Sequence, residues 1–342
     1  MADLPAGAAE VAAELRWIAA QPATIEERAS AICEPLRRLI PFEGYFVALL
    51  DPDRLKLVTL AVDGHTESTR THLTGSEFYA EIELVGLASP RGPMCLRDSP
   101  VPASDLSTWA EHLTPQGFRE ALGLSLFTPG QRHLGVLTVF TSTEEHPTDQ
   151  ARDFVGTLGA TITQAIDPMR TLTPLARMVG DASAGVVLTR GGIPLALAGL
   201  PDHPVLRAGS PLFAAVRDQL AGGQPYASFL WPDPAAEHPR HLRIATLAAP
   251  TEAPDHLAAI VLICATVDLR GLTSREVDVL SLVVDGWPNS RIAEKLHIAT
   301  RTVAAHVEHI MTKLAAPTRT VAAVRALRLG LYVPHQHRHR QE

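Results

Sequence analysis

The sequence predicts a multidomain chain: two α+β units followed by an all-α unit of four short helices. Three observations carry that expectation. Short apolar stretches bounded by turn residues recur at 42–62, 122–141 and 186–267, as paired strands do. Two longer stretches, after Thr24 and Thr148, repeat apolar residues at helical spacing. Residues 272–331 show helical periodicity alone. With 342 residues, 46% hydrophobic and 20% charged, the chain is long enough for two or three separate cores and too apolar for wholesale disorder.

Residues 1–21 read as an alanine-rich lead-in helix. Thr24, with Glu27 three residues on, is a capping-box signature; Ile25, Ala29, Ile32, Leu36 and Leu39 follow at helical spacing until Pro41. Residues 42–50 and 55–62 form a predicted hairpin around the turn at 51–54. The stretch 63–120 mixes a short strand (94–97) with short helices near 106–113 and 115–121. Strands at 122–127 and 134–141 precede a helix capped by Thr148, whose stripe is Phe154, Leu158, Ile162, Ala165, Ile166 and Met169. The first unit therefore spans 22–169. Pro168 and Pro174 mark a boundary, and 175–268 is a smaller unit: a hairpin at 186–197, a helix from Ser210-Pro211 to about Leu220, and strands at 227–230, 241–247 and 258–267. The polar segment 332–342 reads as a frayed tail.

Composition excludes several chemistries. Only three of the 30 basic residues are lysine (Lys56, Lys295 and Lys313), and no Gly-Lys pair exists to form a phosphate loop. Cys33, Cys95 and Cys264 are odd in number and widely spaced, which suits neither a disulfide framework nor a zinc site and fits a cytoplasmic protein. No metal site and no catalytic residue is expected. The longest mainly apolar run, 258–267, is too short to span a bilayer, and the first residues do not read as a signal peptide. The net charge of −7 argues against nucleic acid when taken whole. It divides unevenly, however. Residues 270–342 hold 11 basic and 6 acidic residues, net +5, whereas 1–269 hold 19 and 31, net −12.

Thr273 with Glu276 makes a second capping box, opening a helix that carries Val277, Leu280, Val283 and Val284 and ends at Asp285-Gly286. A short helix with Ile292, Ala293 and Leu296 follows. A tight turn through His297, Ile298 and Ala299 leads to a third helix from about Arg301 to Leu314. Val303, Val307, Ile310 and Leu314 lie on its inner face; Arg301, Ala305, Glu308, His309 and Thr312 lie on the outer. Arg319 opens a fourth helix with Val321, Val324 and Leu327 expected inside. A tight turn before the third helix describes a helix-turn-helix, whose second motif helix can enter a major groove. The stretches LTSREVDVL, GWPNSRIAEKLHI and TVAAHVEHIMTKL, in this order, resemble the LuxR/GerE-type DNA-binding domain.

That resemblance covers 270–331 and implies double-stranded DNA as partner, a homodimer, and RNA polymerase as a further partner. Carried onto this sequence, it implies phosphate contacts from Arg291, Arg301, Thr302, Lys313 and Arg319. His309 joins them on the outer face. The positions facing the groove hold Ala304, Ala305 and Glu308, so direct reading of bases is expected to be sparse: alanine packs only on a thymine methyl, and glutamate accepts from cytosine N4. Pro288 and Ala299 depart from the family's small hydroxyl and serine. Thr300 is the expected substitute cap of the third helix.

Such domains are attached to a controlling domain. The absence of lysine between Lys56 and Lys295 excludes a phosphoacceptor receiver, and the missing phosphate loop excludes the large ATP-binding regulators. Trp17, Trp109, Trp231 and Trp287 show no clustered pattern for an acyl-homoserine-lactone pocket. FEGYFVALLD at 42–51, GFREALGLSLFTP at 117–129 and RHLGVLTVF at 132–140 resemble a GAF domain, and 175–268 is similar to a PAS domain in size and strand content. The cyclic-nucleotide, bilin and flavin-thiol versions lack their required lysine or cysteine context, and a lone histidine such as His65, His72, His112 or His133 is far more often a surface residue than a haem ligand. The cofactor is therefore unknown. Phe46, Tyr79, Trp109, Phe118 and Phe127 are the candidates to line a site for a small apolar ligand, with core packing as the competing role.

The expectation is a non-enzymatic transcription regulator whose helix-turn-helix binds operator DNA as a dimer under sensory control. The alternatives are a sensor half that acts by protein–protein interaction or autoinhibition, and a GAF-type thiol reductase.

Overall fold

The computed structural model describes residues 5–234, 236, 240–265 and 267–334. The chain divides into two compact units, 1–170 and 171–342. The expected tail from 335 onward lies outside the described residues.

The first unit contains α1 (Ala8–Ala20), α2 (Ile25–Ala31), α3 (Cys33–Leu36), β1 (Gly44–Asp51), β2 (Lys56–Asp63), α4 (Glu67–Leu73), α5 (Ser76–Leu84), β3 (Met94–Cys95), β4 (Glu120–Phe127), β5 (His133–Thr141) and α6 (Asp149–Ile166). The strands make one antiparallel sheet in the order β2-β1-β5-β4-β3. Alternation along β1 sets the two layers. Tyr45, Val47 and Leu49 enter one core with α1, α2 and α6, while Phe46 and Ala48 enter a second core with α4, α5 and Trp109. Both faces are covered, which is why β1, β4 and β5 read as nearly continuous apolar runs. Gly135 in β5 permits a close approach to β1: a Cβ there would fall 2.0 Å from the Ala48 carbonyl oxygen.

Both capping boxes and the Thr148 cap are present as expected. Several expectations are corrected. The helix after Thr24 does not run to Leu39; it breaks after Ala31, where Pro35 has no N–H to donate to the Ala31 carbonyl. Residues 115–121 are not helical: a single 3-10 turn, Thr114–Gln116, stops at Gly117 (φ 93), and β4 begins at Glu120. Helix α6 ends at Ile166 because Pro168 forces Asp167 into extended backbone (ψ 117). Met169 instead starts α7 (Met169–Met178), which holds Pro174 inside it and carries the division between the units.

The second unit continues with β6 (Ala182–Thr189), β7 (Pro194–Ala196), α8 (Leu212–Ala221), β8 (Tyr226–Pro232), β9 (His241–Ala248), β10 (Leu257–Cys264), α9 (Ser274–Val284), α10 (Asn289–Leu296), α11 (Thr300–Lys313) and α12 (Arg319–Leu329). The second sheet is antiparallel in the order β7-β6-β10-β9-β8. Leu212, Phe213 and Val216 of α8 pack on it against Phe229, Ile244 and Val261. On α12 the expected inner residues are corrected. Val324 and Leu327 are 41% and 46% exposed, while Ala322 and Ala326 are buried, because α12 approaches its neighbours closely through small residues. Tyr332, Val333 and Pro334 are buried, not part of a solvated tail.

His65, expected at the surface, follows β2 and is instead buried in the second core of the first unit. It lies edge-on to Phe140 (4.8 Å between ring centroids) and tilted against Phe118 (5.2 Å). Neither ring nitrogen has a hydrogen-bond partner among the described residues. Burial first, and then Arg70, push its pKa down to about 4. The unfolded chain keeps the ordinary value of 6.5 and so binds more protons below it. This contribution to stability is complete above about pH 6.5 and is lost as pH falls toward 4. His65→Phe is expected to reduce the loss of urea midpoint between pH 7 and pH 5. An unchanged loss in the variant would assign the acid sensitivity to other groups.

Candidate nucleic-acid interface and sensor cavity

The ends of the four C-terminal helices place the outer face of α11. At the start of α9, Thr273 N–H donates to Glu276 Oε2 (2.7 Å), and Glu276 N–H donates to Thr273 Oγ1 (3.3 Å). Lys313 Nζ, from the last turn of α11, donates to the same Glu276 oxygen at 2.6 Å. Burial raises the Glu276 pKa, but Lys313 and the Thr273 bonds outweigh it, and the carboxyl stays below its usual range. Arg275 Nη2 closes the end of α10 by donating to the Leu296 carbonyl (2.6 Å). His297 then takes the left-handed conformation (φ 53), and Ile298 N–H reaches back to Ala293 (3.0 Å), turning the chain into α11.

The expected cap of α11 is corrected. Ala299 is the N-cap, with no side-chain bond, and Thr300 is the first helical residue. Val303, Ile310 and Leu314 are buried as expected, and Val307 is half-buried. Thr300, Arg301, Ala305, Glu308, His309 and Thr312 are exposed, and Thr302 and Ala304 are half-buried. These residues form one continuous helix face.

Two of the expected phosphate-contacting cations are occupied internally. Lys313 holds Glu276. Arg319 Nη1 donates to Asn289 Oδ1 (2.6 Å), its Nη2 donates to the Trp287 carbonyl, and burial lowers its pKa. Arg291 stacks on Trp287, its guanidinium carbon 3.9 Å from the ring centroid, so Trp287 meets α10 through its ring and the start of α12 through its carbonyl. The sequence reading missed Arg325, which donates to the Leu314 and Ala315 carbonyls at the end of α11. Arg325 and Arg275 were detectable as basic residues able to reach a helix C-terminus. Arg270 pairs with Asp268. Five of the 11 basic residues counted toward DNA thus serve the domain itself. Arg301 on α11 and Arg291 on α10 remain at the surface.

In the first unit, a partly open cavity of about 70 Å³ lies between the sheet and α5, lined by Phe78, Met94, Cys95, Trp109, Leu113 and Phe140, with Glu81 at its polar side. Of the five expected lining residues, only Trp109 reaches it. Phe46, Tyr79 and Phe118 are buried in the surrounding cluster, and Phe127 lies outside that cluster, stacked on His133 at 4.7 Å. Glu81 Oε1 accepts from Ser107 Oγ (2.8 Å) and Thr108 N–H (3.2 Å), and His72 Nε2 contacts Thr108 Oγ1 (2.7 Å). Burial pushes the Cys95 thiol up to about 11 and the Cys33 thiol higher still, which suppresses the thiolate a reductase needs. No helix among the described residues is long and apolar enough to cross a membrane.

Two segments of the chain match known families. Residues 270–326 match the family described as bacterial regulatory proteins, luxR family, and residues 22–167 match the GAF domain. The transcriptional regulatory protein LnrK of Bacillus subtilis is 46% identical over 66 residues, covering 19% of this chain and 30% of that protein. The nitrate/nitrite response regulator protein NarL of Escherichia coli is 44% identical over 57 residues, covering 17% and 26%. The chain thus spans less than a third of the length of these relatives. Among solved structures, the GAF domain of a phosphoenolpyruvate-protein phosphotransferase from Coxiella burnetii aligns at 19% identity and a TM-score of 0.38, over 50% of this chain and 97% of that one. SdiA of Escherichia coli aligns at 14% and 0.34, over 95% and 99%. The C-terminal helices are a LuxR-type helix-turn-helix, and the N-terminal unit carries a GAF domain.

Arg319→Ala is expected to destabilise the second unit by about 2 kcal/mol, because it removes two charge-assisted hydrogen bonds, one to the Trp287 carbonyl and one to Asn289 Oδ1. Arg319→Lys should recover little, since one ammonium does not replace a planar fork. Urea unfolding of the three proteins checks this; equal stability of wild type and alanine variant would return Arg319 to the set of free phosphate ligands.

Proposed function

We propose that the chain is a cytoplasmic, non-enzymatic transcription regulator that binds operator DNA as a homodimer through α11. The observation that carries this reading is the exposed face of Arg301, Ala305, Glu308, His309 and Thr312 on a helix whose other side is buried. The GAF domain of 22–169 acts as the sensor, with 175–268 as a PAS-like second unit and 270–331 as the DNA-binding domain. The cavity beside Trp109 takes a small, mainly apolar ligand, and RNA polymerase is a further partner.

Because Lys313 and Arg319 are engaged internally, phosphate contact falls mainly to Arg301 and Arg291. Each phosphate neutralised contributes about −0.9 to the slope of log K against log salt. Titration of a duplex library with the full chain at several salt concentrations tests the reading, which fails if no salt-dependent binding appears. Arg301→Ala in a dimer removes two contacts and is expected to flatten the slope by about two, with weaker binding across all sequences. A change of sequence preference at constant slope would place Arg301 on bases.

The homodimer is supported by the outward apolar side chains of α12, Val324 and Leu327, which have no place in the core of their own domain. Leu327→Glu is expected to shift the protein toward monomer in sedimentation velocity and to weaken DNA binding at least tenfold. A dimer of unchanged strength would move the interface elsewhere.

A further inference from the structure

The chain does not leave its domain after α12. Gly330 takes a left-handed conformation (φ 68), and a Cβ there would fall 2.9 Å from the backbone carbon and oxygen of Ser228 in β8. Only glycine meets both demands. Two residues on, the Tyr332 carbonyl accepts the Leu230 N–H at 2.8 Å. β8 is an edge strand, so 330–332 occupies a backbone edge that would otherwise be open. The side chains then alternate. Leu331 and Val333 enter the core of the helix-turn-helix domain, while Tyr332 enters the core between the second sheet and α8. Tyr332 Oη donates to Gln219 Oε1 of α8 (2.7 Å), and Val333 N–H donates to Ser281 Oγ of α9 (2.9 Å). Ser281 Oγ in turn donates to the Val277 carbonyl (2.7 Å), so the strap ends inside α9.

We propose that residues 330–333 are a coupling strap that makes the second sheet and the helix-turn-helix domain one mechanical body, with Tyr332 as its positioning residue. A displacement of α8 or β8 is then carried into α9 and α12 without a hinge at the connecting segment near 268–272. The exposed face of α11 is not used by the strap, so the strapped form presents its DNA-reading residues. The coupling is a property of the fold and stands or falls without DNA.

Hydrogen exchange on the full chain tests it. In the wild type, amides of β8 and α9 are expected to open together, with the same dependence on denaturant. Tyr332→Ala should separate the two, with about tenfold faster exchange in β8. Gln219→Leu, a change in α8, should speed exchange in α9 severalfold, and Tyr332→Phe should do the same, with no further gain in the double variant. A residue serving only local packing would leave α9 unmoved by Gln219→Leu. Independent opening of β8 and α9 in the wild type overturns the proposal, as does unchanged α9 exchange in both Gln219→Leu and Tyr332→Phe, a pair that decides the matter even if Tyr332→Ala does not fold.

Discussion

A helix leaves its last carbonyls without partners inside itself, and short helices carry that cost at every few residues of chain. In this protein guanidinium groups meet it repeatedly. Arg275 closes α10, Arg325 closes α11, and Arg319 holds the Trp287 carbonyl ahead of α10. In the first unit Arg28, 4% exposed, donates to the Ala165 carbonyl in the last turn of α6 and to Ala23 just ahead of α2. Burial and the nearby Arg170 lower its pKa, and its two charge-assisted bonds offset the cost of taking it out of water. Lysine offers one compact ammonium, whereas arginine offers five donors in a plane and can join two carbonyls from different elements. The arginine-rich, lysine-poor composition is therefore partly a structural device.

The same interaction decides how the charge can be used. A sequence count credits 270–342 with +5, but a cation bonded to a carbonyl or buried carboxylate is positioned for its own domain. Lys313 is the clearest case, since Glu276 is also the N-cap partner of Thr273. Moving Lys313 to a phosphate would leave a buried carboxylate unpaired, which costs more than a surface ion pair returns. Under the proposed function, attraction to DNA is thus concentrated on few side chains, which a dimer through the apolar side chains exposed on α12 would double.

What was legible in the sequence was mostly local. The boxes Thr24–Glu27 and Thr273–Glu276 are closed by residues three apart, so their geometry is contained in the spacing. The long strands of both sheets are readable because each is an apolar run bounded by turn residues. Residues 63–120 are not, since α4, α5 and a single wide turn at Thr108–Leu113 are each too short to show a period. On α12 side-chain size is no guide to burial, because close approach selects Ala322 and Ala326 for the interior. The ligand candidates failed similarly: aromatic type places Phe46 and Phe118 in the core, and only the three-dimensional path of 87–109 decides which side chains border the cavity. Tyr332 lay in a segment read as tail, and nothing local to it signals that Gln219, 113 residues away, receives its hydroxyl.

These constraints together limit how a signal could reach DNA. Masking of α11 by the second sheet would require that sheet to cover the outer face, yet its contacts with the helical domain run through β8, Gly330, Tyr332 and α9. Release would have to break the strap, exposing Leu331, Tyr332, Val333 and the β8 edge at once, a large apolar and backbone penalty for one regulatory step. Less is lost if the strapped body moves as a whole. In the proposed dimer, control would then lie in how two such bodies are spaced, because half-sites one helical turn apart accept only one separation of the two reading helices. A sensor acting on that separation needs no change inside the body it moves.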